Sequence, residues 1–296
     1  AGDKLMIARL AVLAICAATS AVAQDKPVVA AVNYPLAWMA ERLGGDAVEV
    51  LFPVPEDRDP SFWRPGLSDI AAIQQANVIA LNGAGFASWT ERTSLPRSRV
   101  VNTTAAFKDA LIATQSVTHN HGADGEHSHT GTASYTWLDF SQAAQQAEAL
   151  ASMMQRRLPE LRDGLAESLP QLVGELKALD ANARGALAGL KDTTILATHP
   201  RYQYFARAYG LDIAALEWDA GAMPDADQWP VLERMMADTG ARVLIWEARP
   251  PEDAIVKADA LGLQSVVFSP LAGLPRDGDF LTIMRDQISD LAAAGG

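Results

Sequence analysis

Short apolar, β-branched runs alternate with segments whose apolar residues return every three or four positions, and this alternation occurs twice along the chain. Residues 27–32, 47–52, 77–81 and 99–102 have the first character and predict strands; residues 36–43 and 67–75 have the second and predict helices. Further along, residues 193–197, 213–216, 242–246 and 265–268 predict strands, and residues 202–209, 226–238, 251–261 and 279–293 predict helices. Strands apolar on both faces and separated by helices belong to parallel sheets covered on both sides. The expected fold class is α/β, with two α/β lobes, each on a parallel sheet, joined by one long connector helix. In such folds ligands sit beyond the carboxyl ends of the strands, here in the cleft between the lobes.

The connector is read from seven leucines, Leu158, Leu161, Leu165, Leu169, Leu172, Leu176 and Leu179, which recur every three or four residues and share one helix face. With the alanine-rich stretch before them they predict a helix of about fifty residues, roughly 75 Å long if unbroken. Pro159 and Pro170 must start, kink or split it. The expected division is a leader over 1–23, a first lobe over 24–136 carrying a loop at 114–132, the connector over 137–190 and a second lobe over 191–296.

The leader reads as a secretory signal. Lys4 and Arg9 precede a short apolar run, and Ala21 and Ala23 supply small residues before a cut. The run is too short to span a bilayer as a helix, so a periplasmic product without membrane insertion is expected. Cys16 is the only cysteine, and Ile15 before it speaks against a lipid anchor there. With 24 basic against 36 acidic residues the net charge is −12, which argues against a nucleic-acid partner held by a broad basic surface.

The chemistry concentrates in few places. Of five histidines, His119, His121, His127 and His129 lie within eleven residues, among glycines, Asp124 and Glu126. Neutral imidazoles are good ligands for zinc and related ions, and two H-x-H pairs can bring several to one cation. The fifth, His199, follows a predicted strand, as does Glu247, and Asp59 sits in a proline-rich loop after another. Strand-end side chains of this kind face the cleft. No G-x-S-x-G, H-E-x-x-H, C-x-x-C or phosphate-binding glycine–lysine loop occurs, so a binding protein is expected rather than an enzyme.

Five segments, in order, resemble the metal-binding solute receptors of ABC importers, the zinc/manganese family. They are DPSFWRP from Asp59 to Pro65, NGAGFASW from Asn82 to Trp89, WLD from Trp137, THPRYQYF from Thr198 to Phe205, and FSPL from Phe268 to Leu271. The histidine-rich insertion matches zinc-specific members. The resemblance implies a periplasmic receptor that captures a transition-metal ion and delivers it to a membrane ABC permease, working as a monomer. It also implies four ligand positions, usually histidines and a carboxylate, which here hold Ser61, Tyr135, His199 and Ser269. With one customary donor left, the expected metal ligands are His199, Glu247 and Asp59 together with His119, His121, His127 and His129, while Ser61, Trp63, Tyr135 and Ser269 line the cleft. Such a set suits zinc, with manganese or iron less well matched. A second reading keeps the fold and replaces the ion with a metal chelate or small organic solute stacked on Trp63, Tyr135, Trp137, Tyr202, Trp218 and Trp246. A third is a periplasmic metal chaperone with no permease of its own.

Overall fold

The computed structural model describes residues 25–114 and 131–295. The predicted leader, Cys16 and the four loop histidines lie outside the described residues.

The first lobe contains β1 (Val28–Ala31), α1 (Tyr34–Gly44), β2 (Glu49–Leu51), α2 (Leu67–Gln75), β3 (Val78–Leu81), α3 (Trp89–Arg92) and β4 (Val100–Asn102). A two-residue antiparallel pair follows, β5 (Ala113–Thr114) and β6 (Gly131–Thr132), which joins the two ends of the histidine-rich stretch. Next come α4 (Phe140–Arg157) and α5 (Arg162–Ala186). The second lobe contains β7 (Thr194–Ala197), α6 (Gln203–Tyr209), β8 (Asp212–Ala215), α7 (Trp229–Thr239), β9 (Val243–Trp246), α8 (Glu252–Ala260), β10 (Gln264–Val267) and α9 (Phe280–Ala294). All but α3 and the β5–β6 pair fall within a few residues of the expected elements.

Both four-stranded sheets are wholly parallel, ordered β2-β1-β3-β4 and β10-β9-β7-β8. Read from the opposite edge the second is β8-β7-β9-β10, the same winding as the first. In each lobe the order reverses between its first and third strands, and that reversal opens a crevice at their carboxyl ends.

The connector departs from expectation. Instead of one helix there are two, with the break at Leu158, whose backbone leaves the helical region (φ −131°, ψ 67°) just before Pro159 opens a short 3₁₀ turn. The helices α4 and α5 then pack against one another. Proline lacks the N–H needed to continue the helical ladder and disfavours helical backbone in the residue before it. Pro170, by contrast, lies inside α5 on its exposed side, where water can satisfy the freed carbonyl. The leucine stripe is the buried face all the same: Leu158, Leu165, Leu172, Leu176 and Leu179 are in the core, and Leu161 and Leu169 pack on it.

That core is continuous across the molecule. One cluster includes Val29 and Ile79 of the first sheet, Leu150 and Leu176 of the helical pair, and Ile195 and Ile245 of the second sheet. Between the lobes, Tyr34 N–H donates to Ala272 O at 2.8 Å and Trp137 Nε1 to Pro270 O at 2.7 Å. Apolar burial plus satisfied polar ties across the junction give a rigid pair of lobes rather than a loose hinge.

Candidate functional site

In the second lobe the strand ends deliver charged side chains. His199 lies two residues beyond β7 and Glu247 one residue beyond β9. The chain turns sharply at Pro200: Arg201 N–H donates to His199 O at 2.9 Å, a three-residue turn that suits the fixed φ of proline. Glu247 is held by its own N–H donating to Thr198 Oγ1 at 3.1 Å.

The imidazole of His199 is oriented by a backbone carbonyl. Its Nδ1 lies 3.0 Å from Trp218 O and 3.2 Å from Glu247 Oε2. A carbonyl oxygen has no proton to give, so Nδ1 carries the proton and donates to it. With that proton fixed on Nδ1, the tautomer that leaves the lone pair on Nε2, the one a metal ion requires, is the one selected. With the Nδ1 proton aimed at Trp218, Glu247 Oε2 is buried with no hydrogen-bond donor among the described residues. An uncompensated carboxylate oxygen in that position attracts a cation.

The first lobe contributes Asp59, after β2. Its Oδ1 accepts from Ser61 N at 2.8 Å and from Ser61 Oγ at 2.6 Å, so the serine at the first expected ligand position is spent on shaping its own loop. Tyr135 donates its hydroxyl to Ser61 Oγ at 3.4 Å. Burial holds the Tyr135 phenol protonated, far above its ordinary range, despite the pull of Arg201 beside it. Ser269 Oγ accepts from Leu271 N at 3.2 Å, stabilising a turn in which Leu271 takes a positive φ of 56° that an L residue adopts only under constraint.

Arg201, which sequence reasoning missed, joins these pieces. Its Nη2 donates to Asp59 Oδ2 at 2.9 Å and its Nε to Glu247 Oε1 at 3.2 Å. The guanidinium lies 4.6 Å from the centre of the Tyr135 ring and 5.5 Å from that of Phe62, distances at which a cation is drawn to an aromatic face. Burial alone would weaken its proton affinity, yet the surrounding negative charge more than reverses that. A basic residue beside a strand-end histidine reads as a surface charge; its partners are 142 and 46 residues away in sequence.

His199, Glu247 and Asp59 thus meet in one cluster, but a guanidinium links the two carboxylates. Among the described residues no group of three or more His, Cys, Asp or Glu side chains stands close enough to hold a metal ion. The aromatic lining expected for an organic solute is largely absent. Trp218 and Trp246 belong to a separate core cluster with Trp229, and Trp137 and Tyr202 are fully buried in the main core. Trp63, partly buried, packs edge-on to Trp89, and of the six residues expected to line the cleft Tyr135 is the one whose ring faces Arg201.

A second junction lies where the histidine-rich stretch joins the body. The Tyr204 hydroxyl on α6 accepts from Ile112 N at 3.1 Å and donates to Ala133 O at 2.8 Å, fastening both ends of that stretch to the helix that follows His199.

The family model described as zinc-uptake complex component A, periplasmic, matches residues 28–294. The zinc-binding protein AdcA of Streptococcus pyogenes serotype M3 is 22% identical over 296 aligned residues, covering 93% of this chain. The chain spans 57% of that relative's length. Among solved structures, Zn(II)-bound AdcA from Streptococcus pneumoniae superposes with a TM-score of 0.76 at 16% identity, over 92% of this chain and 58% of the other. The metal-dependent lipoprotein YcdH from Bacillus subtilis superposes with a TM-score of 0.75 at 18% identity, over 91% and 99% of the two chains. Likeness at these identities speaks for the fold, two parallel α/β lobes on a helical connector.

Proposed function

We infer the function from one premise: this chain belongs to the family described as zinc-uptake complex component A, periplasmic, whose model covers all but the ends of it. On that premise the protein is a periplasmic receptor that captures a transition-metal ion, zinc foremost, in the cleft between the lobes and delivers it to a membrane ABC permease. It acts by binding rather than by catalysis. Among the described residues no helix is long and apolar enough to cross a membrane.

The observation that carries this reading is the His199 imidazole, whose Nδ1 is held by the Trp218 carbonyl so that the Nε2 lone pair is free for a cation, with the undonated Glu247 Oε2 beside it. Zinc is satisfied by nitrogen and carboxylate donors in a tetrahedral set. His199 and Glu247 supply two neighbouring donors, Asp59 adds a third once it comes free of the Arg201 guanidinium that now joins it to Glu247, and His119, His121, His127 and His129 supply the further imidazoles that zinc needs. The Tyr204 staple supports their part, because it anchors both ends of that stretch to α6. The reading with an organic solute loses support because its aromatic residues are consumed by the core.

The test is a zinc titration of the purified protein against a competing chromophoric chelator, repeated with the four loop histidines changed to asparagine. The parent is expected to bind zinc tightly and the fourfold variant about tenfold or more weakly, since each lost imidazole removes a donor. A parent protein that takes no zinc from the chelator would end this reading.

A further inference from the structure

Arg201 stands where a captured cation would draw its negative charge. We propose that its guanidinium is a resident competitor for the metal ion, holding the Asp59–Glu247 carboxylate pair until capture and then yielding at least one of them. The inference rests on the receptor reading given above and deepens it, since it names the residue that sets how tightly the ion is held.

The charges around the guanidinium make the case. Asp59 and Glu247 face it from the loops after β2 and β9, His199 lies on its own loop, and the protonated Tyr135 covers one face. Two carboxylates and one guanidinium leave a single net negative charge, little for a divalent ion. Ser61 and Ser269, at the other expected ligand positions, add none, and their hydroxyls are engaged in local turns. A metal ion on either carboxylate would sit within about 5 Å of a unit positive charge, a repulsive arrangement that water screens least on the Glu247 side, where both partners are about nine-tenths buried. An alternative role as anchor for an anionic group is disfavoured, because both carboxylates already face the guanidinium and would repel a third anion. The Phe62 ring, 72% exposed and already 5.5 Å from the guanidinium, can keep an aromatic face beside it as it leaves a carboxylate.

Two variants test this against the parent in the same chelator-competition titration. Arg201→Gln keeps a planar donor for the carboxylates and removes the charge; Arg201→Lys keeps the charge on a head too compact to span both carboxylates. Zinc affinity is expected to rise in the order parent, Arg201→Lys, Arg201→Gln, by about threefold and then at least about tenfold over the parent, the scale on which one adjacent charge shifts ion binding. Equal or weaker binding by Arg201→Gln overturns the proposal while leaving the receptor reading intact. Should that variant fail to fold by circular dichroism, Arg201→Lys decides: tighter than the parent supports the proposal, equal or weaker overturns it. If neither the parent nor any variant binds zinc, the receptor reading falls and takes this inference with it.

Discussion

The two lobes wind their strands in the same order, and each places a pair of polar side chains at the point where that order reverses. In the first lobe these are Asn33, two residues past β1, and Asn82, one residue past β3; in the second they are His199, two past β7, and Glu247, one past β9. The backbone around them matches as well. Val32 N–H donates to Ala80 O in the first lobe, and Thr198 N–H donates to Ile245 O in the second. Yet the pairs differ in kind. Asn82 Oδ1 accepts from Asn33, Thr136 and Gln146 at 3.1–3.3 Å, and its Nδ2 donates to Gly83 O and Ser134 O, with every side chain in this network buried. A neutral amide can be buried whole when each donor and acceptor is paired, because no charge has to leave water. The imidazole–carboxylate pair keeps partial contact with solvent and an unfilled acceptor. One crevice is mortar between α4 and the sheet; its counterpart keeps ionisable groups that pair with Arg201 and, through it, with Asp59 of the other lobe.

The comparison breaks most visibly at Asn82. Replacing it with alanine takes one partner each from the buried Asn33, Thr136 and Gln146 and from two part-buried carbonyls, and a stability loss of about 3 kcal/mol is expected from urea unfolding. Zinc affinity of the folded fraction should not change. A loss below about 1 kcal/mol would mean that the network is not what secures the first lobe. His199→Ala should invert that pattern, lowering zinc affinity about a hundredfold while moving the unfolding midpoint by less than about 1 kcal/mol in equivalent stability. The smallest effect concerns helix caps, where the same contrast between neutral and ionisable groups recurs. Asn33 caps α1 through Leu36 N, whereas Asp279 caps α9 through Thr282 N at 2.8 Å. Burial alone would raise the Asp279 pKa, but the Thr282 hydrogen bonds and the charges of Arg42 and Arg285 bring it below the usual carboxylate value. A lowered folded-state pKa stabilises above the unfolded value, and that contribution disappears as pH falls through the folded one. Asp279→Ala is therefore expected to cost about 1 kcal/mol near pH 7 and progressively less under acid, measured by urea midpoints across the range.

Most of the scaffold could be read from the chain because its signals are local. A strand buried on both faces must be apolar throughout, and a helix must repeat its apolar face every three to four residues, whatever surrounds it. The leucine stripe shows the limit of such signals. Its residues are buried as expected, but a face that stays in phase across Leu158 is equally satisfied by one helix or by two folded together. Pro159 signalled a break; only packing of α4 on α5 settled the outcome.

The site divides along the same line. His199 and Glu247 were legible as polar residues at strand ends, a placement that follows from topology. Arg201 was not, because an arginine's role depends on which carboxylates come within reach, and Asp59 reaches it from the opposite lobe. Residue types and their periodicity determined the two sheets, the helices between them and the chemistry on offer at the cleft. The folded lobes alone decided that a guanidinium joins the carboxylates there, since electrostatic pairing acts through space between groups that the order of the chain keeps far apart.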